Sequence, residues 1–270
     1  MPQAISIDNF LDSHRDDERI SICGKLAIAR CILAAESEST LYVNRREAYP
    51  KINFTNAEPT WFNAFFQVLH ENCQEREIDT RFDQVAIVTF NYDRCIEHYL
   101  HGALQNYYGV PPDRASEAMK RLQIFHPYGS VGELPWQDRV KGVDFGATVN
   151  GQGLIAAAQR LRTFTEGIDP ALSNIIELQE TLREAERIAF LGFAFHRLNL
   201  ELLFPGLPDG SQTPDRPVFA TGLSMSRADG DVIAKELALK GAVFKDQFHF
   251  RNDLTCADLF KEYRRSLGIA

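Results

Sequence analysis

Apolar positions along the chain fall into two kinds of pattern. Residues 20–36 (ISICGKLAIARCILAAE) carry charge only at Lys25 and Arg30 before the closing Glu36. A helix apolar on most of its faces is one that packs between other elements. In residues 59–74 (PTWFNAFFQVLHENCQ), Trp61, Phe62, Phe65, Phe66 and Leu69 recur at helical spacing. Thr60, just after Pro59, is the expected N-cap. Four shorter runs follow: 85–90 (VAIVTF), 122–125 (LQIF), 188–195 (IAFLGFAF) and 218–223 (VFATGL). Short, continuous apolar runs bounded by turn or helix signals suit strands buried on both faces of a parallel sheet. Helical stretches separate them: 94–104 with Asp93 as its cap, 173–187 with Ser173 as its cap, and 231–240. This alternation predicts an α/β fold, a Rossmann-like and mostly parallel sheet with right-handed crossovers and flanking helices. No internal repeat, low-complexity segment or long Pro/Gly/Ser linker interrupts the chain. The expectation is therefore one domain over 1–270 with a helical part over 1–80.

Composition narrows the functional classes. A chain of 270 residues with 44% hydrophobic and 24% charged residues can bury a sizeable core, which excludes disorder as its main state. No apolar run reaches the roughly 18–20 residues of a membrane span, and residues 1–19 do not read as a secretory signal. A net charge of −8 argues against direct nucleic-acid binding. The five cysteines, Cys23, Cys31, Cys73, Cys95 and Cys256, are scattered without a CxxC. They point to a reducing, cytoplasmic setting with neither a disulfide framework nor a cysteine zinc site. Glycine is oddly distributed: of 17, only Gly24 precedes Gly102.

Ligands of open α/β sheets bind beyond the carboxyl ends of the strands, so the residues after each run are the candidates. The first run is followed by Asn91-Tyr92-Asp93, and the second by His126-Pro127-Tyr128-Gly129-Ser130-Val131-Gly132. The third contains Gly192 and leads to His196 and Asn199; the fourth ends near Thr221 and Gly222. Strand ends also need turn residues for their own sake. His126 is the sharpest candidate, because histidine titrates near neutrality and is the usual general base; the alternative is a structural histidine. Asn91 offers a donor and an acceptor without charge, or else serves the turn. Asp93 is most simply the cap of the next helix.

The segments FNYD at 90–93, HPYGSVGELPW at 126–136 and FLGFAFHRLN at 190–199 resemble sirtuin-like domains of the bacterial NAD-hydrolase type. SIDNFL at 6–11 and GKLAIARCIL at 24–33 resemble the same group. The resemblance implies a fold that binds NAD as substrate and cleaves the bond between nicotinamide and ribose, without a metal. It implies that Asn91 orients the nicotinamide ribose or the attacking water. His126 would be general base on a ribose hydroxyl or on water. Tyr92, Asp93, Gly129, Gly192, Phe193 and Thr221 are the implied cofactor-binding positions, Gly192 by letting the backbone approach the cofactor. Loss of nicotinamide develops oxocarbenium-like charge, which a positioned base in a polar, water-limited pocket stabilises. The resemblance also implies a setting in antiphage defence, where such proteins deplete NAD.

Three departures shape the expectation. The four-cysteine zinc module of sirtuin deacetylases has no counterpart, which argues against protein deacetylation. Gly192-Phe193-Ala194 stands where such domains read Gly-Tyr-Ser, removing a hydroxyl. The family's first strand and its Gly-Ala-Gly phosphate loop have no match, consistent with the dearth of early glycines, and their absence would weaken NAD binding. The alternative is thus a catalytically degenerate nucleotide-binding or assembly protein of the same fold. A free sheet edge in such a protein would suit a partner chain or a second copy.

Other constellations are weaker. GQGLIA at 151–156 fits a dinucleotide fingerprint with Asp169 as its acidic partner, but the stretch before it is a poor strand. Cys95, His98 and His101 are spaced for a conceivable metal site, although packing is the simpler role for Cys95 and His98, with His101 near the helix end. The run Arg15–Arg19 reads as a solvated face, and Arg45-Arg46 as a surface loop.

Overall fold

A computed structural model describes residues 7–47, 50–163, 166, 174–207, 210 and 212–269. Its elements, in chain order, are α1 (Ile7–Ser13), α2 (Glu18–Glu38), α3 (Phe54–Ala57), α4 (Trp61–Leu69), α5 (Ile78–Phe82), β1 (Ala86–Val88), α6 (Cys95–Tyr108), α7 (Pro112–Met119), β2 (Gln123–Phe125) and α8 (Gln152–Gln159). They continue with α9 (Ile175–Glu184), β3 (Ile188–Phe190), α10 (Arg197–Leu203), β4 (Val218–Thr221), α11 (Arg227–Leu239), β5 (Phe248–Arg251), α12 (Cys256–Glu262) and α13 (Arg264–Leu267). Every strand pairing is parallel, and helices connect and flank the strands. The architecture is the expected Rossmann-like α/β class. The chain divides into two compact units, one of residues 1–58 and 72–173, the other of 59–71 and 174–270.

In the first unit, β1 pairs with β2 in the register Ala86 opposite Gln123 and Val88 opposite Phe125. The connection runs through α6 and α7. Asp93 accepts the Cys95 N–H at 3.0 Å, so its side chain satisfies a donor at the opening of α6 that has no partner within the helix. Gly109, at φ +69°, ends α6 in the left-handed conformation that glycine adopts without strain. Pro112 opens α7 at the first turn, where a missing N–H costs nothing. Ahead of these elements α2 supplies the long apolar helix read from residues 20–36. Asp17 accepts the N–H groups of Arg19 and Ile20 at 3.0 and 3.3 Å, so one residue of the run expected only as a solvated face caps this helix.

In the second unit, β4 lies between β3 and β5. All four of its residues are buried, as expected of a strand covered on both faces. Ser226 and Asp229 form a reciprocal capping box at the start of α11. In the same unit α4 packs on α12 through Ala64, Val68 and Phe260, with Trp61, Phe65 and Leu191 against them.

The strands are shorter than the apolar runs that announced them. The third run stops pairing at Phe190, because Gly192 and Phe195 take positive φ values of 58° and 52°, which no strand accommodates. Thr60 stands at the N-cap of α4, without a side-chain cap bond. Residue Ser173, the expected cap of α9, lies outside the described residues, and Asn174 holds the N-cap position. Among the described residues no helix is long and apolar enough to cross a membrane.

The loop after β2 closes tightly on its own unit. The Gly129 N–H donates to the His126 carbonyl at 2.9 Å. Gly129 has φ +75°, and a Cβ there would lie 2.0 Å from the Arg160 carbonyl oxygen. Gly129→Ala is therefore expected to destabilise the first unit by about 1–3 kcal/mol, through both backbone strain and the clash. Thermal denaturation checks this as a fall of several degrees in the midpoint.

Candidate active site

The site is built where β1 and β2 end side by side. The Thr89 N–H donates to the Phe125 carbonyl at 2.9 Å, which carries the strand pairing one step beyond β1. The Asn91 N–H then turns back to Thr89 Oγ1 at 3.2 Å. The next loop is fastened to this one: the Val131 N–H donates to the Tyr92 carbonyl at 3.1 Å. The two loops therefore present His126 beside residues 91–97.

His126 Nδ1 lies 3.3 Å from the Asn91 carbonyl oxygen, and Nε2 lies 2.7 Å from Glu97 Oε1. A carbonyl and a carboxylate group both favour a ring N–H, so the protonated imidazole is the form that satisfies both contacts at once. Burial alone would push its pKa down. The hydrogen bond and charge of Glu97 outweigh that penalty, with help from the Asn91 carbonyl and the Asp93 charge, and hold the pKa above the ordinary histidine value. Glu97 is itself only 4% exposed. It sits in the first turn of α6, where the helix dipole favours an anion.

A cavity of about 310 Å³ opens here, lined by Glu97, Lys120, Leu122, Ile124, His126 and Trp136 among others. Two buried polar atoms on residues of that lining, Glu97 Oε2 and Trp136 Nε1, have no hydrogen-bond partner among the described residues. One is an acceptor and the other a donor.

The other expected site residues of this unit take various positions. The Asn91 side chain is exposed, and the residue meets His126 through its backbone. Tyr92 is buried, its hydroxyl donating to Asp8 Oδ1 at 2.8 Å with Arg162 O at 3.1 Å. Burial and the Asp8 charge push that phenol's pKa far up. Asp93 faces the start of α6, and Gly129 faces the Arg160 backbone. In the second unit, the Gly192 N–H donates to Thr221 Oγ1 at 2.8 Å, and Thr221 Oγ1 lies 3.4 Å from Phe190 O. The Thr221 hydroxyl thus ties the end of β3 to β4. Phe193 stacks on Phe190 at 5.2 Å and meets Phe195 edge-on at 5.1 Å.

Reading residues one at a time missed Glu97, although a carboxylate between Ile96 and the mostly apolar residues up to Leu100 was a usable signal. It also missed Glu36 and Arg94, which form a buried ion pair, each side chain 1% exposed.

The rival constellations are accounted for by packing. His98 bonds the Leu41 carbonyl at 3.0 Å and stacks on Phe145 at 4.1 Å; burial lowers its pKa to about 4. His101 lies in the middle of α6, not near its end, and stacks on Trp136 at 4.7 Å. Burial and Asp93 push the Cys95 thiol pKa far up, which disfavours the thiolate a metal would need. Among the described residues no group of three or more such side chains could hold a metal ion. Gly151 is the N-cap of α8, but no described strand leads into it, so residues 151–156 lack the strand–turn–helix that a dinucleotide fingerprint requires. Asp169 lies outside the described residues. Arg45, expected in a surface loop, pairs with Asp144.

Comparison with known proteins gives one match: the family model described as SIR2-like domain covers residues 85–241. That span runs from β1 through α11 and includes Asn91, Glu97, His126, Gly192 and Thr221. No curated protein and no solved structure matches the chain.

Proposed function

Because the chain belongs to the SIR2-like domain family, whose members use NAD, we propose that it hydrolyses NAD to nicotinamide and ADP-ribose. The observation that carries this reading is His126, held at the carboxyl end of β2 with its ring at the edge of a cavity. In the reaction the bond between ribose C1′ and the pyridinium nitrogen breaks, and its electron pair leaves with nicotinamide. A water oxygen forms the new bond to C1′, and one proton is released. In its neutral form, His126 accepts that proton at Nε2, while Nδ1–H stays oriented by the Asn91 carbonyl. This is general-base assistance, a contribution of about 10²–10⁴-fold. The Asn91 amide orients a ribose hydroxyl or the water, and Asp93 and Tyr92 hold the loop that carries it.

The residues around the cavity fit the group. Its volume is at the lower end of small-ligand pockets, which start at roughly 300 Å³. Leu122 and Ile124 offer an apolar wall to a pyridine ring. Glu97 Oε2 and Trp136 Nε1, lacking partners, offer an acceptor and a donor to a carboxamide. Gly192, Phe193 and Thr221, at the ends of β3 and β4 in the second unit, are cofactor-contact positions that only the family resemblance implies. Turnover of this kind depletes NAD in the cytoplasm, the property of an antiphage effector.

One observation favours a second reading, nucleotide binding without turnover: both ring nitrogens of His126 already have partners. The two separate on incubation with NAD. Nicotinamide release well above that of an Asn91→Ala, His126→Ala double variant supports hydrolysis; release no greater than the variant's removes it.

A further inference from the structure

Glu97 occupies the ring nitrogen that the base must use. Nδ1 is committed to a backbone carbonyl, so a proton can be taken up only at Nε2, and Nε2 is covered by Glu97 Oε1 at 2.7 Å. We propose that Glu97 is a positioning residue that clamps His126 in a resting, proton-loaded pair and must release Nε2 before the ring can act. The role rests on the hydrolase reading of the same site, but the clamp itself is a property of the ligand-free protein.

Three observations support it. Glu97 is 4% exposed and His126 has a side chain 14% exposed, so water competes poorly for either partner. Glu97 is half satisfied: Oε1 holds His126, while Oε2, on a residue that lines the cavity, has no partner among the described residues. A buried acceptor left unmade costs about 1–3 kcal/mol, so a hydroxyl or amide entering the cavity gains by bonding Oε2, and drawing the carboxylate toward itself loosens its hold on Nε2. Finally, the surroundings leave Glu97 as the dominant charge on the ring. From the loop after β1, the Asn91 carbonyl and Asp93 face it; Lys120, at the end of α7, and Glu133, in the loop after β2, line the same cavity. Asp93 acts in the same direction as Glu97 but without a hydrogen bond to the ring.

The consequence is a pH threshold with a definite sign. With Glu97 in place, His126 stays protonated beyond the usual histidine midpoint of about 6.5, and base activity appears only as the pH rises past its raised value. Without the carboxylate, burial is the larger influence and the midpoint falls. An opposite charge at this range moves a pKa by about 1–3 units.

Imidazole NMR titration of the ligand-free protein, with the His126 signal assigned by its loss in His126→Gln, tests this without any turnover. The wild type is expected to titrate above 6.5, Glu97→Gln at or below 6.5, and Glu97→Asp in between. The acid limb of kcat/KM for nicotinamide release should move down by the same one to three units in Glu97→Gln. A wild-type His126 that titrates below 6.5 overturns the proposal, and needs no variant to fold. So does a Glu97→Gln protein whose activity falls with its acid limb unmoved, the mark of a merely structural role. Hydrolysis that persists with either result leaves the functional reading standing and removes only the clamp; a confirmed titration shift without nicotinamide release does the reverse.

Discussion

Arg94→Met is expected to cost the first unit about 3–5 kcal/mol, a larger stability loss than that of Gly129→Ala. The guanidinium donates from Nε to Glu36 Oε1 at 3.0 Å and from Nη2 to Oε2 at 2.5 Å. It also reaches the carbonyls of Val143 at 2.5 Å and Asp144 at 3.1 Å. Both partners are 1% exposed. Methionine preserves much of the volume but leaves Glu36 as a buried charge, held among the described residues by the backbone N–H groups of residue 94, at 3.1 Å, and Gly146, at 2.9 Å. The two carbonyls lose their donor as well. Replacing both partners in a Glu36→Leu, Arg94→Met protein should recover much of the loss, because the isolated charge, not the missing attraction, dominates the cost. Urea denaturation of the two variants checks this: the single variant unfolds at markedly lower denaturant than the double. The pair also bears on function, since Arg94 lies between Asp93 and α6 and its anchoring holds the first turn that carries Glu97.

The second large effect is catalytic. His126→Gln should lower nicotinamide release from NAD by about 10²–10⁴-fold, the range for removing a general base, while the thermal midpoint changes far less than in the Arg94 variant. Glutamine retains a donor and an acceptor near the former ring positions but cannot take up a proton near neutrality. Asn91→Ala provides a complementary measurement. His126 is bonded to the backbone carbonyl of residue 91, which alanine keeps. A loss of activity in Asn91→Ala thus reports on the exposed amide and the substrate, with little contribution from a misoriented ring.

Much of the architecture was legible because strands leave continuous apolar runs: 218–223 holds the fully buried β4, whereas 85–90 gives a β1 that is only half-buried, with Ala86 exposed. β5 escaped notice because His249 and Arg251 interrupt its apolar character; Arg251 reaches outward to Asp253 and Glu262. The third run promised a longer strand than exists, since apolar character is kept through Gly192 and Phe195 while their backbone turns away. At the site, Asn91 and His126 could be found from their places after β1 and β2. Glu97 could not be paired with His126, because they lie 29 residues apart and meet only when the loops after β1 and β2 are fastened together. The same holds for Glu36 and Arg94, separated by 58 residues. Local pattern marks where strands end; it does not say which buried charge will neutralise another.

We propose that His126 directs water onto the ribose of NAD. Turnover of NAD in ¹⁸O-labelled water measures this most directly. Wild-type protein is predicted to release nicotinamide and ADP-ribose in equal amounts, with one labelled oxygen in the ADP-ribose, and His126→Gln to do so at least about a hundredfold more slowly. Nicotinamide release that is absent, or equal in wild type and His126→Gln, would contradict it.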